Sequence, residues 1–137
     1  MTSAGWCVDT SVAVAALDPS HQAHVEARDV CRRRRPALAG HAAFETLSVL
    51  TRLPGSARVD MQTAVDLLGR AFPERCFLGA AQQRSLVTRL PELGVVGGMI
   101  YDALVAEAAR AAGRVLLTRD RRALPTYAAL GVTFEIV

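Results

Sequence analysis

Short apolar segments alternate with longer helical segments along almost the whole chain, and this alternation limits the choice of fold more than any other feature. Most of the short segments are continuous apolar runs, which is typical of parallel strands that helices cover on both faces. The predicted strands are residues 6–8, 37–39, 75–78, 115–117 and 132–137. The sequence therefore predicts an α/β fold, a three-layer sandwich with a central, mostly parallel sheet of four to five strands.

Helical segments fill the intervals between these strands, and capping residues, proline and glycine mark their ends. Asp18 and Pro19 are typical of an N-cap followed by the first helical position, which predicts a helix over residues 19–34. Pro91 predicts that the helix starting at residue 80 ends near residue 90. The other predicted helices cover residues 11–17, 42–53, 61–72, 99–112 and 121–130.

Length and composition indicate a single domain over residues 1–137. Hydrophobic residues make up 51% of the chain and charged residues 21%, which excludes intrinsic disorder. No apolar run approaches the roughly 18 residues of a membrane span, and residues 1–5 lack the basic region of a signal peptide. The three cysteines are widely spaced and form no CxxC pair, so we expect reduced thiols in a cytoplasmic protein with no membrane partner.

Four acidic residues occupy positions just after predicted strands or early in predicted helices. Asp9 and Asp120 follow strands, Glu45 lies one turn into a helix, and Asp102 lies in the first turn of an otherwise apolar helix. Because ligands bind outside the carboxyl ends of parallel strands, we expect these side chains to share one site. Carboxylates without histidine or cysteine suit Mg²⁺ or Mn²⁺, and their mutual repulsion raises their pKa values until a cation binds.

The motifs around these acids resemble those of a known family, the PIN-domain nucleases. The motifs are Asp9-Thr10-Ser11, Phe44-Glu45, Tyr101-Asp102-Ala103 and Thr118-Arg119-Asp120. Their acids are separated by 36, 57 and 18 residues, and the resemblance extends from residue 7 to the end of the chain. Chain length and the stretch of residues 117–122 look most like the VapC toxins of bacterial type II toxin–antitoxin modules.

This resemblance implies a Mg²⁺- or Mn²⁺-dependent endoribonuclease that leaves a 5′-phosphate and a 3′-hydroxyl on its RNA products. It assigns the catalytic and metal-holding roles to Asp9, Glu45, Asp102 and Asp120, and an orienting role to Thr118. It also implies a homodimer that a cognate VapB-like antitoxin silences.

Each acid also has a structural interpretation. Asp9 and Asp120 suit helix N-caps, and Glu45 suits a solvated helix face. Asp102 suits the first turn of a helix, although its apolar neighbours favour an unpaired, buried carboxylate that binds a ligand. Glu107 lies five residues further along and is excluded from the site because it belongs to another face of that helix.

Two groups of arginines leave alternatives open. Arg119, Arg121 and Arg122 lie at a predicted helix N-terminus, where positive charge is unfavourable, so they either contact RNA phosphates or pair with the acids. The run of residues 32–35 is interpreted as a solvated helix end, with RNA steering as the alternative.

Three other functions compete with the nuclease. A catalytically silent PIN-like module would bind RNA or protein without cutting it. A phospho-accepting receiver domain needs a late lysine, and the chain contains no lysine. An aspartate-dependent phosphatase needs a second aspartate after Asp9, where the chain reads Thr10-Ser11-Val12.

Overall fold

The computed structural model describes residues 5–137 and contains five strands in one sheet. The strands are β1 (Trp6–Val8), β2 (Ala37–Ala39), β3 (Arg75–Cys76), β4 (Val115–Thr118) and β5 (Phe134–Ile136). Their order is β3-β2-β1-β4-β5, and every neighbouring pair is parallel. The predicted α/β sandwich is confirmed, with five strands and a wholly parallel sheet. Residues 1–4, which carry most of the expectation about a signal peptide, lie outside the described residues.

Helices occupy the intervals between the strands. They are α1 (Thr10–Leu17), α2 (His24–Arg34), α3 (Gly40–Leu50), α4 (Met61–Ala71), α5 (Ala80–Leu93), α6 (Met99–Ala111) and α7 (Leu124–Leu130), with 3₁₀ turns at Gly55–Ala57 and Arg121–Ala123. Over residues 5–137, each of these helices is too short or too polar to cross a bilayer.

The topology places the ends of β1 and β4 at a switch point of the sheet. The chain passes from β1 to β2 and β3 on one side, and then returns to β4 on the other side of β1. In open parallel sheets, ligands bind where the strand order reverses in this way, outside the carboxyl ends. Asp9 follows β1 directly, and Asp120 comes two residues after β4.

The start of α2 differs from the prediction because Asp18 forms a turn instead of capping a helix. Its N–H donates to the Val14 carbonyl and closes α1. Its carboxylate accepts hydrogen bonds from the backbone N–H and the hydroxyl of Ser20, at 2.9 and 2.6 Å. Helix α2 therefore begins at His24 and not at residue 19.

Pro91 does not end α5, contrary to the prediction. The helix continues through it to Leu93 and ends at Gly94, which adopts the left-handed conformation with φ 68°. A proline in the last turn removes one helical hydrogen bond, and glycine at the C-cap supplies the actual stop. Helix α3 also begins earlier than predicted, at Gly40, and ends earlier, at Leu50.

The buried strands make a core substitution costly. Leu116 is fully buried in β4, where it pairs with Cys7 of β1 and Phe134 of β5. We expect Leu116→Ala to lower the free energy of unfolding by about 2–5 kcal/mol, because the cavity it leaves is lined by several elements. Urea denaturation measures this loss. Val87→Ala, at an exposed position on α5, is the control and should cost less than about 0.5 kcal/mol; equal losses would contradict the described core.

Candidate active site

A groove of about 890 Å³ opens at the carboxyl end of the sheet. Its walls come from α1, α3, α6 and the segment that follows β4. The four acids predicted from the sequence all line it: Asp9, Glu45, Asp102 and Asp120. The structure therefore brings together side chains from four separate parts of the chain.

Asp9 is buried at the floor of the groove, with 3% of its surface exposed. One carboxylate oxygen accepts hydrogen bonds from the Ser11 hydroxyl (2.6 Å) and the Val12 N–H (3.2 Å). The other accepts from the hydroxyls of Thr118 and Tyr127, the latter at 2.7 Å. Burial raises the pKa of Asp9, and these hydrogen bonds oppose the rise. Asp9 is thus both the N-cap of α1 and part of the floor of the groove.

Thr118 connects the two acids that follow strands. It is fully buried at the end of β4. Its hydroxyl donates to Asp9 and accepts a hydrogen bond from the Asp120 N–H at 3.0 Å. Asp120 in turn caps the 3₁₀ turn by accepting from the Arg122 N–H at 3.0 Å. These contacts fix the relative positions of Asp9 and Asp120.

Glu45 and Asp102 face the groove from helices and are only partly buried. Burial raises the pKa of Glu45, whose carboxylate lies 3.8 Å from the His41 ring. Burial, with repulsion from Asp120, Glu45 and Asp9, raises the pKa of Asp102 to about 6. Within residues 5–137, no side chain donates a hydrogen bond to Asp102. Its charge is therefore relieved neither by full solvation nor by a hydrogen bond, and the charge of Arg122 opposes the rise in its pKa only in part.

Among the described residues Asp102 has no hydrogen-bond donor, as expected, but it is less buried than its apolar neighbours predict. Asp102 is half-buried, whereas Glu107 on the same helix has only 3% of its surface exposed. Glu107 lies outside the groove lining and pairs with the guanidinium groups of Arg89 and Arg110. Two partners compensate its burial, so it serves to connect α5 and α6.

The three arginines after β4 have different surroundings. Arg119 and Arg122 line the groove, and Arg121 is exposed but does not line it. The Arg119 guanidinium donates to the Val137 carbonyl at 2.6 Å, and its backbone N–H donates to the Ser11 hydroxyl at 2.8 Å. Arg122 is 93% exposed and lies 3.4 Å from Asp120. Of these three arginines, Arg122 alone pairs with an acid of the described chain, and its contact with Asp120 is long for an ion pair.

Sequence reasoning missed three groove residues. Tyr127 is almost fully buried on α7 and donates to Asp9; a tyrosine on an apolar helix indicates a buried hydroxyl that needs a partner, but not which partner. Ser11 was interpreted as a helix-start residue, and its hydroxyl also donates to Asp9. His21 lies in the connection between α1 and α2, where its Nδ1 accepts from the Ala23 N–H at 3.0 Å.

The donor chemistry of the groove fits a hard divalent cation. Carboxylate and hydroxyl oxygens dominate its polar lining, and these are the ligands that Mg²⁺ and Mn²⁺ prefer. In the part of the chain that the structure describes, no three acidic, histidine or cysteine side chains form a ready chelating group. Mg²⁺ is commonly held by one or two carboxylates and several waters, so the arrangement fits a hydrated ion.

Comparisons with known proteins identify relatives along almost the full length. The family described as PIN domain matches residues 6–130. Ribonuclease VapC27 of Mycobacterium tuberculosis is 42% identical over 125 residues, which is 91% of each chain. Ribonuclease VapC40 of the same species is 44% identical over 130 residues, covering 94% of this chain and 96% of the relative.

A solved structure shares the fold of this chain. It is VapBC2 from Rickettsia felis bound to a DNA fragment from its promoter, which matches with a TM-score of 0.66 and 16% identity. The match covers 96% of this chain and 98% of the other. At this identity the likeness establishes the fold alone.

The raised pKa of Asp102 predicts a pH-dependent cost to stability. Its pKa is about 6 when folded and 3.8 ordinarily, so the folded state holds the proton more tightly. The stability gained at low pH is lost as the pH rises through about 6. In metal-free protein, Asp102→Asn should therefore raise the urea midpoint at pH 7.5, and by less at pH 4.5. The control Asp66→Asn removes an exposed charge and should change neither midpoint; a less stable Asp102→Asn protein at pH 7.5 would contradict the described repulsion.

The hydrogen bond from Tyr127 to Asp9 predicts that removing the Tyr127 hydroxyl lowers the free energy of unfolding. Tyr127→Phe leaves the buried Asp9 carboxylate with one donor fewer, and a hydrogen bond to a buried charge is worth about 1.5–3 kcal/mol. We expect the free energy of unfolding at pH 7.5 to fall by roughly this amount, as measured with urea. Tyr101→Phe, at an exposed tyrosine beside the same groove, is the control. Equal stability of the two variants would argue against the contact.

Proposed function

Because this chain belongs to the PIN domain family, and within it to the VapC type, we propose that it is a metal-dependent endoribonuclease acting in the groove between α1, α3 and α6. The observation that carries this proposal is the convergence of Asp9, Glu45, Asp102 and Asp120 on that groove, where burial and repulsion from the other acids raise the pKa of Asp102. The curated relatives at 42–44% identity are named ribonucleases. Half-buried acids that repel one another at a switch point favour a site that needs a cation over a purely structural cluster.

Each groove residue has a role in this proposal. Glu45, Asp102, Asp120 and Asp9 would hold the cation, which lowers the pKa of water and neutralises charge on the scissile phosphate when bound. The remaining contributions come from the chain itself. Ser11, Thr118 and Tyr127 keep Asp9 in one orientation, because each donates a hydrogen bond to it. The acids orient the attacking water, and the products carry a 5′-phosphate and a 3′-hydroxyl.

The groove edges suit an RNA strand. Arg122 is almost fully exposed and Arg119 is partly engaged by the Val137 carbonyl, so both present positive charge beside the acids. Guanidinium groups bind phosphate oxygens in a bidentate manner. In this proposal Arg119 and Arg122 contact the phosphates that flank the cleavage site. Arg121 contributes only to the surrounding charge, because it does not line the groove.

The family and the exposed apolar side chains each indicate a protein partner. A cognate VapB-like antitoxin is proposed as the inhibitor, since the Rickettsia relative is titled as a VapBC pair. A homodimer is proposed because large apolar side chains are exposed on α3 and α6: Phe44 is 66% exposed and Tyr101 53%. The three free cysteines are consistent with a reducing cytoplasm, which is the proposed location.

One observation favours the alternative of a catalytically silent PIN-like binding module. Both oxygens of Asp9 already accept hydrogen bonds, and the acids over residues 5–137 form no ready chelating group. In that case the groove would hold RNA or protein without cutting it. The two functions differ in whether metal-dependent products appear.

Cleavage of RNA by the purified, antitoxin-free chain tests the proposal. Total cellular RNA incubated with Mn²⁺ should give discrete products, and EDTA should abolish them. Asp102→Asn should reduce the rate by roughly 100-fold or more, since even outer partners of a metal site cost about 10–100-fold. Asp66→Asn is the charge-matched control and should cut at the normal rate. Folded wild-type protein that cuts with neither Mg²⁺ nor Mn²⁺ would favour the binding module.

A further inference from the structure

A second cavity, of about 920 Å³, lies between α1, α2, α4 and the start of β3. It is separate from the acidic groove. Apolar side chains form part of its lining, among them Leu17, Leu67 and Phe72. Four arginines also line the cavity: Arg28, Arg32, Arg35 and Arg70. Ligand sites typically combine a volume of about 300–1,000 Å³ with an apolar lining and a few placed polar groups, as here.

The arginine run of residues 32–35 is divided between two environments. Arg32 and Arg35 line the cavity together with Arg28, because residues spaced by four and seven positions share a helix face. Arg34 lies elsewhere, 5.2 Å above the Trp6 ring and 3.0 Å from Glu135. Arg32, Arg33 and Arg35 are exposed, as predicted for a solvated helix end. Arg32 and Arg35 in addition line a concave site.

Positive charge in this cavity is largely uncompensated. Among residues 5–137, the buried Nε of Arg28 has no hydrogen-bond partner, and the only ion pair of Arg28 is a 3.5 Å contact with Asp29. In the described chain, no carboxylate lies within 4.0 Å of Arg32, Arg35 or Arg70. The one acid among the lining residues, Glu74, is already bound to Arg114 at 2.8 Å. Arg32, Arg35 and Arg70 are exposed, so their guanidinium groups are available to a ligand, and the ligand that suits them is an anion.

Arg35 occupies a backbone conformation that usually selects glycine. It is the C-cap of α2 with φ 46°, and the only non-glycine residue with positive φ between residues 5 and 137. Glycine avoids the steric cost of the left-handed region, and arginine has no local advantage there. The strain is tolerated at a position that places a guanidinium in the cavity lining.

We propose that this cavity binds a nucleotide through its phosphates, with the base and ribose against the apolar lining. Guanidinium forks bind phosphate in a bidentate manner, and several of them suit the multiple charges of a polyphosphate or a strand backbone. Phe72 is fully buried, so the base packs against aliphatic and proline side chains without stacking on an aromatic ring. The nucleotide is either free or a unit of an RNA strand.

An RNA strand that occupies the acidic groove is able to extend to the arginine cavity. Both sites use α1: Ser11 and Val14 line the groove, and Leu17 lines the arginine cavity. The connection after α1 contributes His21 to the groove, and α2 begins with His24 in the cavity. Helix α1 therefore connects the two sites, and in this proposal a strand that leaves the groove follows α1 to the arginines. Binding at this cavity does not require the proposed ribonuclease to be correct, because it concerns different residues.

The test compares two charge-matched double variants of the full chain in EDTA, so that cleavage plays no part. Arg32→Gln with Arg35→Gln removes two cavity arginines. Arg33→Gln with Arg84→Gln removes two exposed arginines that do not line the cavity. The probes are adenosine triphosphate, a fluorescent twelve-nucleotide oligouridylate, and poly-glutamate. Binding is measured over a range of salt concentrations, and thermal unfolding verifies that both proteins are folded.

The cavity variant should lose roughly 10-fold or more in affinity, since each hydrogen bond between charged groups contributes substantially. The control should lose no more than about 2-fold. Loss of adenosine triphosphate binding assigns the site to a free nucleotide. Loss confined to the oligouridylate, with a salt slope smaller by about 1.4, assigns it to an RNA strand, because each lost phosphate contact removes about 0.7.

Arg35→Gly separates ligand binding from folding. It relieves the positive φ at the C-cap, so the midpoint of thermal unfolding should stay the same or rise while nucleotide affinity falls. The proposal is overturned if both double variants lose affinity equally, or if neither nucleotide probe binds. It is also overturned if poly-glutamate alone binds with the same dependence on Arg32 and Arg35, which would assign the cavity to an acidic protein segment.

Discussion

The buried carboxylate of Asp9 is the interaction on which the site and much of the fold depend. It lies between β1 and α1, and it receives hydrogen bonds from Thr118 at the end of β4 and Tyr127 on α7. These donors are 109 and 118 residues away along the chain. Removing a charge from water is costly unless hydrogen bonds replace the lost solvation. The same contacts therefore stabilise the junction of four elements and fix the floor of the groove.

The other groove acids receive fewer hydrogen bonds than Asp9, so their charges are compensated less. Glu45 and Asp102 are half-buried, and burial together with repulsion between the acids raises the pKa of Asp102. On the same helix as Asp102, Glu107 is compensated, because two arginines bind it. Over residues 5–137, the fold therefore compensates the charges of Asp9 and Glu107 and leaves that of Asp102 without a hydrogen-bond donor. A cation that binds between the groove acids recovers part of the stability that their repulsion costs.

Local patterns in the sequence predicted the sheet and the position of the acids, because both depend on short-range rules. Continuous apolar runs indicated parallel strands, and an acid after a strand indicated the carboxyl edge. The start of α2 was mispredicted because Asp18 before Pro19 suits a turn as well as an N-cap. Tyr127 and the division of the arginine run were missed for another reason: they depend on which distant elements pack together. Neither the Asp9 partner of Tyr127 nor the Trp6 partner of Arg34 is encoded locally.

The two cavities give this small domain a strongly uneven electrostatic field. One is lined by four acids with Arg119 and Arg122 beside them, and the other by four arginines and Glu74; α1 contributes to both. The net charge of +3 conceals this polarity. Fields of this kind orient a charged molecule before contact and raise the rate of productive encounter. In the proposed ribonuclease, the groove acids repel a polyanion while no cation is bound, and the arginines of both cavities attract it. A cation in the groove would therefore affect how the proposed substrate arrives as well as the chemistry that follows.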